Sequence, residues 1–202
     1  MANTDAPFGL QCFGALRDGD CHLYRITNNY GTALYMQDPV KVVAAGTLER
    51  SLTTGAISAN GAIIAIFQQV GPKTTRPDNL TPVNYMPASA GTTYDYWALV
   101  ADNPDLLFRV QEDGDTTPIT IADVGFNVDL IFTHAGDTVS GISGAEIDSN
   151  TAAVTATLAM KIVNLAMEWD VKGNQWNTAS SAFSKWIVKF ANHQLGMAAA
   201  GI

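Results

Sequence analysis

The residues with the clearest potential for metal chemistry are carboxylates that crowd the middle of the chain. They are Asp102, Asp105, Glu112, Asp113 and Asp115. A Ca²⁺ ion takes six or more oxygen ligands converging on one point, and the spacing of these residues does not match the alternation of an EF-hand loop. The sequence therefore favours a solvated acidic turn, and we predict no metal site.

No pattern in the sequence is typical of nucleophilic catalysis. None of the serines lies in a Gly-x-Ser-x-Gly elbow, and residues 141–144 read Gly-Ile-Ser-Gly, a turn composition. His22, His134 and His193 have no evident Asp partner that would orient them. No glycine-rich loop of the phosphate-binding or dinucleotide-binding type is recognisable. We therefore expect no catalytic residue, no cofactor and no enzymatic activity.

Cys12 and Cys21 are the two cysteines of the chain. A metal site would need two more soft ligands, and the three histidines are too dispersed to supply them in a recognisable spacing. We expect buried free thiols. A disulfide between the two is the alternative in an oxidising environment, because the sequence does not determine their geometry.

The tryptophans divide into two pairs by their surroundings. Trp97 and Trp186 lie within apolar strand patterns, which favours core packing. Trp169 and Trp176 lie in the polar segment EWDVKGNQWN, where we expect exposed rings that contact a protein or stack on a sugar. These two are therefore candidate binding residues.

Alternating hydrophobicity predicts that strands position these residues. The predicted strands are, in chain order, Cys21 to Thr27, Ala62 to Val70, Tyr94 to Val100, Leu106 to Val110, Val124 to Phe132, Ala156 to Val163 and Lys185 to Phe190. The second begins with a continuous apolar run, which is typical of a buried strand, and the others alternate. An acidic Asn-Pro turn joins the third segment to the fourth. In the fifth, every second residue from Val124 is apolar and is expected to face inward. For the sixth, a helix is the alternative because of its alanines. The seventh also matches helical spacing, at Phe183, Trp186, Ile187 and Phe190, but its β-branched and aromatic residues favour a strand.

Long connections separate the predicted strands. Gly46 to Asn60 is a Thr-rich excursion, and a Gly-, Ser- and Thr-rich linker runs from His134 to Asn150. Four prolines between Gly71 and Pro87 predict an extended loop without regular structure. Lys73 and Arg76 make that loop locally basic, so both are contact candidates.

The first ten residues combine Pro7 and Gly9 with small polar residues, which predicts an extended arm whose contacts lie on another molecule. Phe8 and Leu10 are its candidate anchors. We assign residues 1–20 to the arm and 21–202 to a single β-rich domain. The expected fold is all-β, a β-sandwich or β-barrel-like domain with an extended N-terminal arm and long loops.

The composition limits the classes of partner. Charged residues make up 15% of the chain, below the usual quarter, which suggests that partners cover part of the surface; Thr and Ser on exposed strand faces are the alternative. A net charge of −8 with scattered basic residues argues against nucleic acid. The longest apolar run, 62–67, is too short to cross a membrane, and the N-terminus resembles no signal peptide.

Four segments carry a resemblance to a known family: MANTDAPFGL at 1–10, VADNPDLLFRVQED at 100–113, ADVGFNVDL at 122–130 and SNTAAVTATLAMKIVNLA at 149–166. Together they resemble head decoration (cement) proteins of tailed double-stranded DNA bacteriophages, over nearly the whole chain. The resemblance implies a β-rich protein on the outer surface of the capsid, commonly trimeric, which sits where major capsid subunits meet and reinforces the shell. It also implies assembly in the host cytoplasm.

The expected partners are therefore the major capsid protein and further copies of this chain. The contact candidates are Phe8, Leu10, Lys73, Arg76, Trp169 and Trp176. The alternative function is a carbohydrate-binding β module on a virion or cell surface, which would use the two exposed tryptophans.

Overall fold

The structure is a computed structural model that describes residues 3–51, 59–71, 76–91, 93–169 and 176–196. The described residues form strands, one 3₁₀ turn at Ile121–Asp123 and no α-helix, so the predicted all-β class is confirmed. The strands are β1 Gln11–Phe13, β2 Cys21–Arg25, β3 Leu34–Tyr35, β4 Pro39–Val42, β5 Leu48–Arg50, β6 Gly61–Gln69, β7 Leu80–Val83, β8 Tyr85–Met86, β9 Tyr96–Ala101, β10 Leu107–Gln111, β11 Asn127–Ile131, β12 Glu146–Ala153, β13 Met160–Leu165 and β14 Lys185–Phe190. No helix in this part of the chain is long and apolar enough to span a bilayer.

Two antiparallel sheets pack face to face as a β-sandwich. The first sheet has the order β1-β10-β14-β13-β11-β12, and the second has the order β2-β9-β6-β4-β5 with β7 beside β6. β3 and β8 form a separate pair. The core between the sheets joins Phe108 and Trp186 of the first sheet to Ala62 and Ala101 of the second. Burial of these facing side chains holds the two sheets together.

The second sheet is buried on both faces. Ala62 and Ala101 face the shared core, whereas their neighbours Ile63 and Val100 belong to a second core that also includes Leu34 and Met86 of the β3–β8 pair. A strand covered on both faces reads as a continuous apolar run and shows no alternation. This explains the segment AIIAIF at 62–67.

The two strands predicted around the Asn-Pro turn are present, and the turn carries the chain from one sheet to the other. β9 lies in the second sheet and β10 in the first. At the crossing the Leu106 N–H donates to the carbonyl of Asn103 at 3.1 Å, and the Asp102 N–H donates to the carbonyl of Asp20 at 3.0 Å. The segment VADNPDLLFRVQED at 100–113 thus connects the two sheets.

Two predicted strands begin later than the alternation suggests. β11 starts at Asn127 because a 3₁₀ turn precedes it, in which the Asp123 carboxylate accepts the Thr120 N–H at 2.8 Å. The prediction that Val124 faces inward is wrong, since its side chain is exposed. β13 starts at Met160, because the chain turns between β12 and β13. Its strand character is as predicted, and the helical alternative is wrong.

Three predicted connections contain strands. β5 lies within the Thr-rich excursion, whose residues 52–58 are outside the described ones, and β12 begins inside the linker from His134. β7 and β8 lie in the proline-containing segment, so the prediction of a loop without regular structure is wrong there. Pro82 is compatible with β7 because that strand pairs with β6 at the edge of the sheet.

The N-terminal segment packs against its own sheet. The Gln111 side chain accepts the Ala6 N–H at 3.2 Å and donates to the Thr4 carbonyl at 2.9 Å. Gly9 has φ +71°, and a Cβ there would lie 2.7 Å from the Gln37 carbonyl oxygen. Leu10 is buried in the shared core. The expectation that Leu10 anchors another molecule is therefore corrected: its side chain completes this chain's own core.

The shared core can be tested with two phenylalanines on paired strands. Phe108 is 1% exposed in the core, and Phe13 on the adjacent edge strand is 52% exposed. We expect Phe108→Ala to lower the free energy of unfolding by about 3–5 kcal/mol, because it leaves a cavity. We expect the matched change Phe13→Ala to cost less than about 1 kcal/mol. Urea denaturation measures both, and equal losses would contradict the assigned core.

Candidate partner-binding groove

A groove of about 350 Å³ lies on the outer face of the first sheet. Because Phe108 and Trp186 point into the core, alternation along β10 and β14 turns Arg109 and Lys185 outward. The residues that line the groove are Asn3, Thr4, Ala6, Phe8, Arg109, Glu168, Trp176, Asn177 and Lys185. The N-terminal segment forms one wall, the residues from 168 to 177 that the structure describes form another, and the sheet forms the floor.

Glu168 holds the two cations of the floor in fixed positions. Its Oε1 accepts a hydrogen bond from Arg109 Nη1 at 2.5 Å, and its Oε2 accepts one from Lys185 Nζ at 2.8 Å. The Arg109 guanidinium also donates to the Gln11 side chain on β1. All three ionic side chains are partly exposed, so each pair alone stabilises the fold little. Two cations beside one carboxylate leave a local positive charge on an acidic chain.

Aromatic rings complete the groove. The guanidinium of Arg109 lies over the Phe8 ring, 5.1 Å from its centroid, which is a cation–π geometry. Trp176 is 51% exposed, and its backbone N–H donates to the Glu168 carbonyl at 2.8 Å. Its neighbour Asn177 is buried, accepts the Lys185 N–H at 2.9 Å and donates to the Ala166 carbonyl at 2.7 Å. The exposed ring of Trp176 is therefore carried on a well-anchored backbone.

The structure brings together two of the six contact candidates. Phe8 and Trp176, which are far apart in sequence, both line the groove. Trp169 is 59% exposed but does not line it. Arg76 is exposed on the segment that leads into β7, and Lys73 lies outside the described residues.

The charged groups of the groove were missed from sequence. Arg109 and Lys185 could be placed on the outer faces of their strands from alternation alone. Their meeting with Glu168 depends on the pairing of β10 with β14 and on the return of the chain after β13. No local pattern signals that pairing.

Two histidines have carboxylate partners that were also missed. His22 Nδ1 lies 2.8 Å from Asp102 Oδ1, because the pairing of β2 with β9 sets His22 opposite Val100. His134 Nδ1 lies 2.9 Å from Glu146 Oε2, and that hydrogen bond raises the pKa of His134. The expectation that no Asp orients these histidines is therefore wrong for His22, and His134 is held by a glutamate.

The five crowded carboxylates do not converge on one point. Asp102 is buried beside Tyr24, whose hydroxyl donates to it at 2.5 Å, and Asp105 pairs with Lys189 at 2.7 Å. Glu112 is buried elsewhere. Asp113 and Asp115 meet Asp148, with ligand oxygens within 4.8 Å of one another, and Asp5, His134 and Glu146 form a second such group. Three side-chain ligands are half of what Ca²⁺ takes, so neither group is a complete cage.

Glu112 has the most unfavourable setting of these carboxylates. Its Oε2 accepts the Ile119 N–H at 3.0 Å, whereas its buried Oε1 has no hydrogen-bond partner among the described residues. Burial raises the pKa of Glu112 to about 7. The folded protein therefore holds a proton on Glu112 at a pH at which the unfolded chain has lost it.

This raised pKa predicts the pH dependence of stability. As the pH rises from about 4.5 to above 7, ionisation of Glu112 costs the folded state on the order of 2–3 kcal/mol. Glu112→Gln cannot ionise and should escape that loss. Urea denaturation at pH 4.5 and pH 8 measures the free energy of unfolding of both proteins. Relative to wild type, the variant should be more stable at pH 8 than at pH 4.5. A constant difference between the two proteins at both pH values would contradict the assignment.

Comparison of the chain with protein-family models, with curated proteins and with solved structures gives no match. The function is therefore argued from the architecture, from the exposed surfaces and from the resemblance of the four sequence segments.

Proposed function

We propose that this protein is a structural protein of a tailed-phage head, which binds the outer surface of the capsid between major capsid subunits and stabilises the shell. It acts through contacts and catalyses no reaction. The resemblance of the four segments supports this proposal. The segment 100–113 forms the crossing between the sheets. The segment 122–130 forms most of the 3₁₀ turn and of β11, and the segment 149–166 forms the end of β12 and all of β13.

The observation that carries the proposal is an apolar patch at one end of the second sheet. Val70 is 55% exposed and Tyr94 is 41% exposed. The Gln69 N–H donates to the Asp95 carbonyl at 2.8 Å and continues the pairing of β6 with β9 by one residue, so their sequence neighbours Val70 and Tyr94 both lie at this end of the sheet. Exposed apolar side chains at neighbouring positions are typical of contact surfaces.

The segment beside this patch adds a positive charge. Val70 donates its N–H to the Asn79 carbonyl at 3.0 Å, which brings the start of the β7 segment alongside. Exposed Arg76 lies three residues before Asn79. Apolar side chains with a cation on a neighbouring segment suit a partner surface that is apolar and acidic. We call Val70, Tyr94 and Arg76 the docking end.

A sandwich of this kind suits a clamp between subunits. A capsid under pressure from packaged DNA fails when neighbouring subunits separate, so a molecule bound to both must detach before they part. Several weak contacts then act together, because each bound contact raises the effective concentration of the next. A closed trimer would repeat the docking end three times and strengthen the effect.

Binding to heads tests the docking end. Phage heads that lack this protein are mixed with purified chain and sedimented. We expect the wild-type protein to co-sediment and Arg76→Glu to bind about tenfold more weakly, because it reverses a charge at the contact. The same change at exposed Arg17 is the matched control and should bind like wild type. A wild-type protein that stays in the supernatant would contradict the proposed function.

The oligomeric state can be measured separately. We expect a mass of three times the chain mass of 21.5 kDa in sedimentation equilibrium. A closed trimer buries two different patches of each chain, each against a neighbouring copy, and we expect it to persist on dilution into the low micromolar range. A monomer at all concentrations would contradict self-association before docking.

A further inference from the structure

The groove and the docking end belong to different sides of the sandwich. The groove residues project from the outer face of the first sheet, and the second sheet packs against its inner face. Packed sheets lie about 10 Å apart, so the groove and the docking end lie on different layers of the sandwich. Head binding by a Trp176 variant tests whether the two surfaces act separately.

We infer that the groove binds an acidic oligosaccharide, whose sugar ring stacks on Trp176 and whose carboxylate meets Arg109 and Lys185. This site is independent of the capsid contact. Its volume of about 350 Å³ lies within the range of small-molecule sites, which is roughly 300–1,000 Å³. A volume of this size accommodates a sugar ring.

The aromatic wall selects a ligand with an apolar face and a polar rim. Trp176 is half exposed and lines the groove, and its backbone N–H is bonded to the Glu168 carbonyl, so the backbone that carries the ring is anchored. Phe8 is held beneath the guanidinium of Arg109 and adds a second apolar surface. A pyranose ring offers C–H groups to such faces and hydroxyls to the polar side chains around them.

The charges select an acidic sugar over a neutral one. Each oxygen of Glu168 accepts one hydrogen bond, from Arg109 and from Lys185, so the carboxylate keeps acceptor capacity for a sugar hydroxyl beside the two cations. The ammonium of Lys185 has three donors and the guanidinium of Arg109 has five, so donors remain for a ligand. With two cations and one anion among the lining residues that the structure describes, the groove attracts a carboxylate.

Ion pairing within the floor also argues against a simple phosphate site. Glu168 lies between the two cations and repels a compact dianion placed against both. A sugar carboxylate carries a single charge and reaches the floor from a ring that is held by the aromatic wall. The combination of stacking and charge therefore points to a glycan.

Two tryptophans make a matched pair for the test. Trp176 lines the groove, whereas Trp169 does not, and the two are similarly exposed. Trp176→Ala and Trp169→Ala therefore remove the same side chain from the surface at similar cost to folding. Far-ultraviolet circular dichroism and urea denaturation establish that both variants are folded.

The experiment is a glycan array probed with the full chain and both variants. We expect signals on uronic- or sialic-acid glycans, lost by at least about tenfold in Trp176→Ala and kept in Trp169→Ala. An oligogalacturonate and the neutral galactose oligomer of equal length, compared by calorimetry, measure the contribution of the carboxylate.

Several results would overturn the inference. They are an array without signals, signals confined to neutral glycans, and signals that Trp176→Ala keeps or that both variants lose equally.

Co-sedimentation with heads is the second readout, in which Trp176→Ala is expected to bind like wild type. Loss of head binding in this variant alone would assign the groove to a protein partner. Failure of the glycan test with intact head binding leaves the proposed function standing.

Discussion

The alternation of side chains along β10 and β14 is the constraint on which the rest of the molecule depends. Phe108 and Trp186 must face the shared core, because their burial holds the two sheets together. The same geometry turns Arg109 and Lys185 to the opposite face, where they form the floor of the groove. The alternation of side chains along these two strands thus produces both the core and the floor of the groove.

Buried polar contacts of Asp38 connect β3, β5 and the segment before β12. The buried carboxylate of Asp38 pairs with Arg50 at 2.8 Å, accepts the Tyr35 N–H at 2.9 Å and accepts the hydroxyl of Ser143 at 2.5 Å. Burial raises the pKa of Asp38, and the cation and the donors oppose that rise. A satisfied network of this kind specifies one arrangement of the loops around it. Among the described residues no cation pairs with Glu112, so its ionised form is a cost to the fold.

The arrangement suits a protein that is held between two environments. One end of the second sheet presents Val70 and Tyr94, and the far face of the first sheet presents Trp176 above its ionic floor. Stiff sheets with a shared core keep these surfaces apart. In the proposed setting the first surface meets the shell and the second meets the surroundings of the virion.

The sequence by itself determined the all-β class, most strand positions and the exposure of Trp169 and Trp176, because alternation and polar context are local properties of the chain. It misplaced the starts of β11 and β13, where a 3₁₀ turn and a tight connection replace the alternation. Only the tertiary structure decided that Leu10 belongs to the core and that Phe8 and Trp176 line the same groove. Those contacts join residues distant in sequence, and strand pairing across long separations leaves no periodic signal in either partner.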